Sequence, residues 1–301
     1  MSVVGVVGLG TMGAQIATRL LDAGHEVHGT NRSADKAKGL IDHGLRWHAT
    51  PRDVAGATEV VISMVTDDDA LEAVTSGPDG IVAGLAAGQV YVDMSSVSPQ
   101  ASMAVAERVR SAGARMLDAP VSGSVPQVEQ GTLSIMVGGD ESAFQEVSPL
   151  LEQLGQQVIH VGGNGKGVLL KVAINISLAV QVLAFSEGLL MAERGGIPAQ
   201  LAADVMSASP IGSPMLKSRV PLMLNLPDEA WFDIRLMDKD IHLALVEGRR
   251  LGVPLPAASA AADALDDARR LGYGDRDIAA LHQVLDSIGR RPSGRPDTGP
   301  A

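Results

Sequence analysis

The run Val3–Val7 leads directly into Gly8-Leu-Gly-Thr-Met-Gly13, and a helical pattern begins at once. Few local sequences restrict a fold as tightly as a strand, a glycine triplet and a helix in immediate succession. Gly8 permits the tight turn, Gly10 lets the backbone approach a pyrophosphate, and Gly13 lets the helix pack closely on the strand. The first helical turn then offers unpaired N–H groups to an anion. A glycine-rich turn with no ligand is the plain alternative. The position between a strand and a helix, opening a βαβ unit, is the context a dinucleotide site requires. Leu9, Thr11 and Met12 lie inside the same cradle.

The pattern continues in the same style. Strands are predicted at Val3–Val7, Glu26–Thr30, Glu59–Val65, Val90–Asp93, Arg115–Asp118, Leu133–Val137 and Gln157–Val161. Helical stretches such as Gly13–Asp22, Ser33–His43 and Pro99–Ala112 separate most of them. Strand–helix alternation implies parallel pairing through crossover helices, hence a doubly wound α/β sheet of Rossmann type. Strand signals stop at the glycine-rich turn Gly162–Gly167. From there on the chain reads as helices bounded by prolines. The expected organisation is an α/β domain over residues 1–162, an all-α domain over 163–290, and a disordered Pro/Gly/Arg/Ser tail over 291–301.

The chain has 301 residues and only 2% aromatics, so its core must be aliphatic. With no cysteine, disulfides, thiolate zinc sites and cysteine nucleophiles are excluded, and nothing in the sequence suggests a metal site. A net charge of −11 argues against nucleic acid and against an anionic membrane surface. It leaves room for an anionic small molecule in a locally positive pocket. No basic, apolar leader follows Met1. The most apolar run, Val168–Phe185, is interrupted by Lys171, Asn175 and Gln181 and reads as a buried helix rather than a membrane span. The expected location is the cytoplasm.

The end of the second strand discriminates between NAD and NADP. An acidic residue there would hold the ribose hydroxyls and repel a 2′-phosphate. This chain has Thr30-Asn31-Arg32-Ser33, with Lys36 one turn further on. Arg32 can form a charge-assisted fork with a phosphate, and Ser33 can add a hydroxyl. NADP(H) is therefore the expected cofactor, with NAD(H) possible. A solvated surface arginine is the plain alternative.

Lys171 and Asn175 are exceptions in the apolar helix, and a spacing of four stacks them on one face. An unpaired ammonium in such surroundings is costly, so the lysine is either functional or snorkels to water near the helix start. Hydride exchange at an alcohol carbon needs a partner group that exchanges a proton with the oxygen. Lys171 fits that role, with burial lowering its pKa toward the working range. Asn175 would orient the substrate oxygens or the lysine.

At these residues the chain resembles the β-hydroxyacid dehydrogenase family, which includes 3-hydroxyisobutyrate dehydrogenases and glyoxylate/succinic semialdehyde reductases. The resemblance spans about residues 3–290. Four blocks carry it: Gly8–Gly13; Asp118-Ala-Pro-Val-Ser-Gly123 with Gly131–Gly139; Gly162–Gly167 followed by Lys171 and Asn175; and Met237-Asp-Lys-Asp-Ile-His-Leu-Ala244. It implies a catalytic Lys171 with Asn175 as its partner amide. It implies substrate-carboxylate binding by Ser122 and the backbone of Gly123 and Ser124, where consecutive small residues can form an anion nest. It further implies cofactor contacts at Val65, Thr66, Ser96 and Lys239, and an aromatic, Phe232, that helps close the pocket. The implied assembly is a homodimer or homotetramer joined through the helical domain, with the active site in the interdomain cleft. The chain departs from many relatives at Ser124, Pro126-Gln127, Ile174 and Ser96. These departures bear on substrate choice, since the loop 124–131 is expected to line the pocket.

The implied substrate is a small carboxylate: 3-hydroxyisobutyrate, D-glycerate with tartronate semialdehyde, 4-hydroxybutyrate, or the product of glyoxylate reduction. Two rival readings are an imine reductase of the same fold and a non-catalytic dinucleotide-binding scaffold. Lys171 and the Asp118–Gly123 block argue against the first. Lys171, Asn175 and Ser122 together argue against the second.

Overall fold

The computed structural model describes residues 1–290, so the expectation for 291–301 lies outside the described residues. The chain divides into two compact units, the first ending at Ala173 and the second beginning at Ile174. In chain order the first contains β1 (Val3–Val7), α1 (Thr11–Asp22), β2 (Glu26–Thr30), a 3-10 turn (Ala34–Ala37), α2 (Lys38–Asp42), β3 (Arg46–Trp47), α3 (Pro51–Ala57) and β4 (Val60–Ser63). It continues with α4 (Asp68–Thr75), α5 (Ile81–Gly84), β5 (Val90–Asp93), α6 (Pro99–Ser111), β6 (Arg115–Asp118), β7 (Val121–Ser122), α7 (Val125–Gln130), β8 (Leu133–Gly139), α8 (Glu141–Leu151) and β9 (Gly155–Gly162). Helix α9 (Lys166–Arg194) carries the chain into α10 (Ala199–Ala208), α11 (Pro214–Leu224), α12 (Ile234–Leu251), α13 (Pro256–Arg270) and α14 (Leu281–Gly289).

The strand order is β3-β2-β1-β4-β5-β6-β8-β7, with β9 beside β8. From β3 to β6 every pairing is parallel. The expected parallel pairing gives way beyond β6, where β8 runs antiparallel to β6 and to β7. The chain reverses through β7 and the six-residue α7 instead of crossing over a full helix.

Successive side chains of a strand point to opposite faces, and both faces here are covered. Val4 and Val6 of β1 and Val90 and Val92 of β5 pack with Ile16, Ala17 and Leu20 of α1. Val7 and Tyr91 face the other way, toward Val54 of α3 and Val105 and Val109 of α6. This places helices on both sides of a buried sheet, and the strand order reverses between the paired β1 and β4, the switch point at which such sheets bind ligands. The second unit has its own aliphatic core, in which Val182, Phe185 and Leu189 of α9 meet Leu216, Ile241, Leu265 and Leu281.

Helix α9 corrects one expectation. It runs unbroken for 29 residues, and its most apolar window has a mean hydropathy of 2.1. By length and composition it could cross a membrane, and only 39% of that window is buried. The polar residues within it interrupt neither the helix nor its apolar character.

Candidate active site

The carboxyl edge of the first sheet gathers most of the residues singled out above. Gly8 ends β1 with φ +95°, and a Cβ there would lie 2.4 Å from the Met64 carbonyl oxygen. A Cβ on Gly13 would lie 1.9 Å from the Gly8 carbonyl oxygen, so α1 can approach the turn only as glycine. Gly10 behaves differently: a Cβ on it would meet no atom within 4 Å. Gly10 is the N-cap of α1, no side chain caps that end, and no acidic residue stands in its first turn. Leu9 is buried, Met12 half-buried, and Gly10 and Thr11 exposed. An open space above uncapped helical N–H groups fits a pyrophosphate.

Asn31 accepts the Leu9 N–H at 3.2 Å and donates to the Ser33 carbonyl at 3.2 Å. It therefore braces the glycine turn against the end of β2, a role the sequence did not suggest. Arg32, Ser33 and Lys36 are exposed beside it, and no carboxylate ends β2.

After β4, Val65 is half-buried and Thr66 exposed. The Val65 N–H donates to Ser95 Oγ at 3.0 Å, and Ser95 Oγ donates to Asp93 at 2.6 Å. Ser63 Oγ donates to the same Asp93 oxygen at 2.6 Å. Ser96, the expected contact, is half-buried next to this buried pair. Burial pushes the Asp93 carboxyl up to about 6; the hydroxyls of Ser63 and Ser95 pull it down, and the Asp118 charge adds to the rise. Asp93 and Asp118 are register partners on β5 and β6. Neither is assigned a role by the sequence pattern, although Asp93 closes a predicted strand and Asp118 opens a motif block; an aspartate ending a strand is the available signal.

Ser122 lies half-buried in β7, opposite Ser134 of β8. Gly123 is exposed with φ +133°, and a Cβ there would lie 2.7 Å from Leu133 Cδ2. Ser124 departs from the nest arrangement. Its N–H donates to Gln127 Oε1 at 2.9 Å and its hydroxyl to the same oxygen at 3.0 Å. That N–H is committed to the start of α7, which leaves Ser122 and Gly123 as the anion donors proposed for this loop.

Lys171 is half-buried in the first turns of α9. One turn later Asn175 is 1% exposed, and its Oδ1 has no hydrogen-bond partner among the described residues. In the second unit Asn175 Nδ2 donates to Asp240. Lys239 Nζ donates to the other Asp240 oxygen at 2.6 Å. The sequence motif pointed to Lys239 and overlooked Asp240, which is 2% exposed and joins the lysine to the amide. Phe232 is half-buried, and its N–H donates to Asp277 at 3.1 Å. Among the described residues no cluster of histidine and carboxylate side chains could hold a metal ion.

Residues 3–162 match the NAD-binding domain of 6-phosphogluconate dehydrogenase. Residues 165–285 match the NAD-binding domain of NADP-dependent 3-hydroxyisobutyrate dehydrogenase. The chain belongs to the β-hydroxyacid dehydrogenase family. It is 36% identical to the 2-hydroxy-3-oxopropionate reductase of Escherichia coli, over 94% of this chain and 96% of that one. It is 33% identical to glyoxylate/succinic semialdehyde reductase 1 of Arabidopsis thaliana, over 94% and 98%. The 3-hydroxyisobutyrate dehydrogenase of Mycobacterium tuberculosis, solved with L-serine, superposes with a TM-score of 0.83 at 30% identity, covering 95% of this chain and 99% of that one. The protein is thus an NAD(P)-dependent oxidoreductase of this family.

Proposed function

We propose that this chain is an NADP(H)-preferring enzyme that interconverts a small hydroxy acid and the matching aldehyde- or keto-acid, with Lys171 as the acid/base. The observation that carries this reading is a half-buried lysine one turn before a buried amide with an unpartnered oxygen, on the helix that starts beside the carboxyl edge of the sheet. The relatives named above reduce or oxidise glyoxylate, succinic semialdehyde, 2-hydroxy-3-oxopropionate or 3-hydroxyisobutyrate. Each is a small carboxylate bearing an aldehyde or a hydroxyl group.

The α1 N-terminus would hold the pyrophosphate, with Arg32, Ser33 and Lys36 at the 2′-phosphate and Val65, Thr66 and Ser96 contributing further contacts. When bound, the nicotinamide supplies or accepts the hydride. Ser122 Oγ and the Gly123 N–H hold the substrate carboxylate through charge-assisted hydrogen bonds. In reduction the Lys171 ammonium polarises the carbonyl and gives its oxygen a proton as the carbon takes up hydride. In oxidation the neutral amine removes the hydroxyl proton. The Asn175 oxygen, without a partner among the described residues, can accept a hydrogen bond from the lysine or the substrate hydroxyl.

Lys171→Ala tests this directly. The phosphates are held elsewhere, so NADPH affinity, read by fluorescence titration, should stay near wild type. Turnover should fall about 10²–10⁴-fold, the range for general acid–base groups. A folded variant that keeps more than about a tenth of wild-type kcat removes Lys171 from the role.

A further inference from the structure

Asp118 ends β6 with its side chain sealed from solvent. One carboxylate oxygen accepts the Gly165 N–H at 2.8 Å, and the other accepts the Val168 N–H at 3.1 Å. The Gly167 N–H adds a weaker pull on the same group. Glycines make room for the carboxylate on both sides. A Cβ on Gly138 would lie 2.7 Å from both carboxylate oxygens, and one on Gly167 would lie 2.9 Å from Oδ2 and 2.4 Å from the Met136 carbonyl. Asn164 Nδ2 donates to the Met116 carbonyl at 2.8 Å and fastens the same turn to the same strand.

This is an unusual way to cap a helix. Elsewhere in the chain Thr50, Asp67, Ser98, Asp140 and Asp233 cap α3, α4, α6, α8 and α12 from three residues away. Those local caps suffice for helix stability. Helix α9 instead uses a strand carboxylate 47 to 50 residues distant, and pays desolvation for it. Burial pushes this carboxyl above its ordinary range, and the backbone N–H groups pull it back. What a remote cap adds is a fixed height and rotation of the helix against the sheet. Val168 lies three residues before Lys171 and Gly167 four before it, so the lysine stands one turn above the anchored residues on their face. The same strand end leads, four residues later, into Ser122 and Gly123.

We propose that Asp118 is a positioning residue for Lys171: by binding the N–H groups of Gly165 and Val168 it sets the lysine against the strand end that also presents Ser122 and Gly123. This rests on the reading of Lys171 as acid/base. It assigns β6 as the common reference for the proton donor and the substrate's anion seat. A misplacement of about 1 Å at such a group can cost about 10²-fold in rate.

The experiment uses the full chain with Asp118→Asn, which keeps size and one acceptor oxygen but turns an N–H₂ group toward backbone donors. Steady-state rates, NADPH affinity, thermal midpoint and the isotope effect with 4-deuterated NADPH are measured together. The expected result is a kcat lower by about 10- to 100-fold, unchanged NADPH affinity, and a larger isotope effect as the chemical step becomes limiting. Gly167→Ala, which keeps the Asp118 side chain but wedges a methyl group between the turn and β6, should give the same signature. If Asp118→Asn melts lower yet keeps kcat within about threefold with an unchanged isotope effect, the carboxylate is a stabilising cap only and the proposal is overturned. If Asp118→Asn does not fold, Gly167→Ala decides, and wild-type kcat and isotope effect there overturn it. Failure of the Lys171 reading is seen separately, as retained turnover in Lys171→Ala.

Discussion

Asp93 holds its charge out of water with only one oxygen paired: Ser63 and Ser95 donate to Oδ1, and Oδ2 has no partner among the described residues. The groups facing it are the hydroxyl of Ser63 on β4, the hydroxyl and N–H of Ser95 after β5, and the like-charged Asp118 on β6, with the Tyr91 hydroxyl hydrogen-bonded to Ser63. The carboxyl therefore titrates at about 6 in the fold, against 3.8 ordinarily. A carboxyl whose folded value is raised binds its proton more tightly when folded. The fold is thus favoured by protonation, and that contribution is lost as pH rises from about 4 through about 6. Asp93→Asn keeps the Oδ1 acceptor and carries no charge. Relative to wild type it should be near neutral at pH 4 and gain stability between pH 4 and 6, by about 3 kcal/mol at most. Urea midpoints of both proteins across that range check this. A stability difference that does not change with pH would show that Asp93 does not titrate there.

Elements differed in how readable they were. The bounds of β1 and β5 follow from apolar, valine-rich runs closed by glycine or polar residues, whereas β2 (Glu-Val-His-Gly-Thr) and β6 (Arg-Met-Leu-Asp) are short mixed runs legible from their place between helices. The two-residue strands β3 and β7 leave no periodic trace, and the reversal at β8 cannot be seen in a pattern that records burial but not direction. The cofactor cradle was legible because Gly8 and Gly13 are forced by backbone contacts that no other residue permits, and Gly10 stands between them at the spacing a pyrophosphate turn requires. The aspartates that organise the sites were not, since their partners lie far along the chain. Asp240 meets Asn175 across 65 residues, and Asp277 meets Arg219 across 58. Asp277 joins three elements: it pairs with Arg219 of α11 at 2.5 Å, accepts the N–H groups of Trp231 and Phe232, and caps the turn Ile278–Ala280. Asp277→Ala would strand the buried guanidinium and release the Trp231–Phe232 segment. The expected loss is about 3–5 kcal/mol, read by chemical denaturation of the second unit. A loss below about 1 kcal/mol would mean that water replaces the carboxylate at little cost.

For the molecule as a whole, the difficulty is charge. A chain with a net charge of −11 must bind an anionic cofactor and, on the proposed reading, an anionic substrate. Its long-range field repels NADPH more than NADH, because the 2′-phosphate adds negative charge. A preference for NADPH therefore has to arise locally, against that field. On the proposed reading the turn after β2 would supply the means, with Arg32 and Lys36 exposed and no carboxylate at the strand end. Such a contact at the surface is screened by salt, with a Debye length of about 10 Å at 0.1 M and about 3 Å at 1 M. The NADPH:NADH ratio of kcat/KM should exceed unity at low salt and shrink as salt rises, even though screening also relieves the general repulsion. Arg32→Asp should erase or invert the ratio while leaving kcat with saturating cofactor nearly unchanged, because the nicotinamide end is untouched. Wild-type protein that favours NADH tenfold, about 1.4 kcal/mol, would show that Arg32 is only a solvated arginine and that the missing carboxylate does not decide the cofactor.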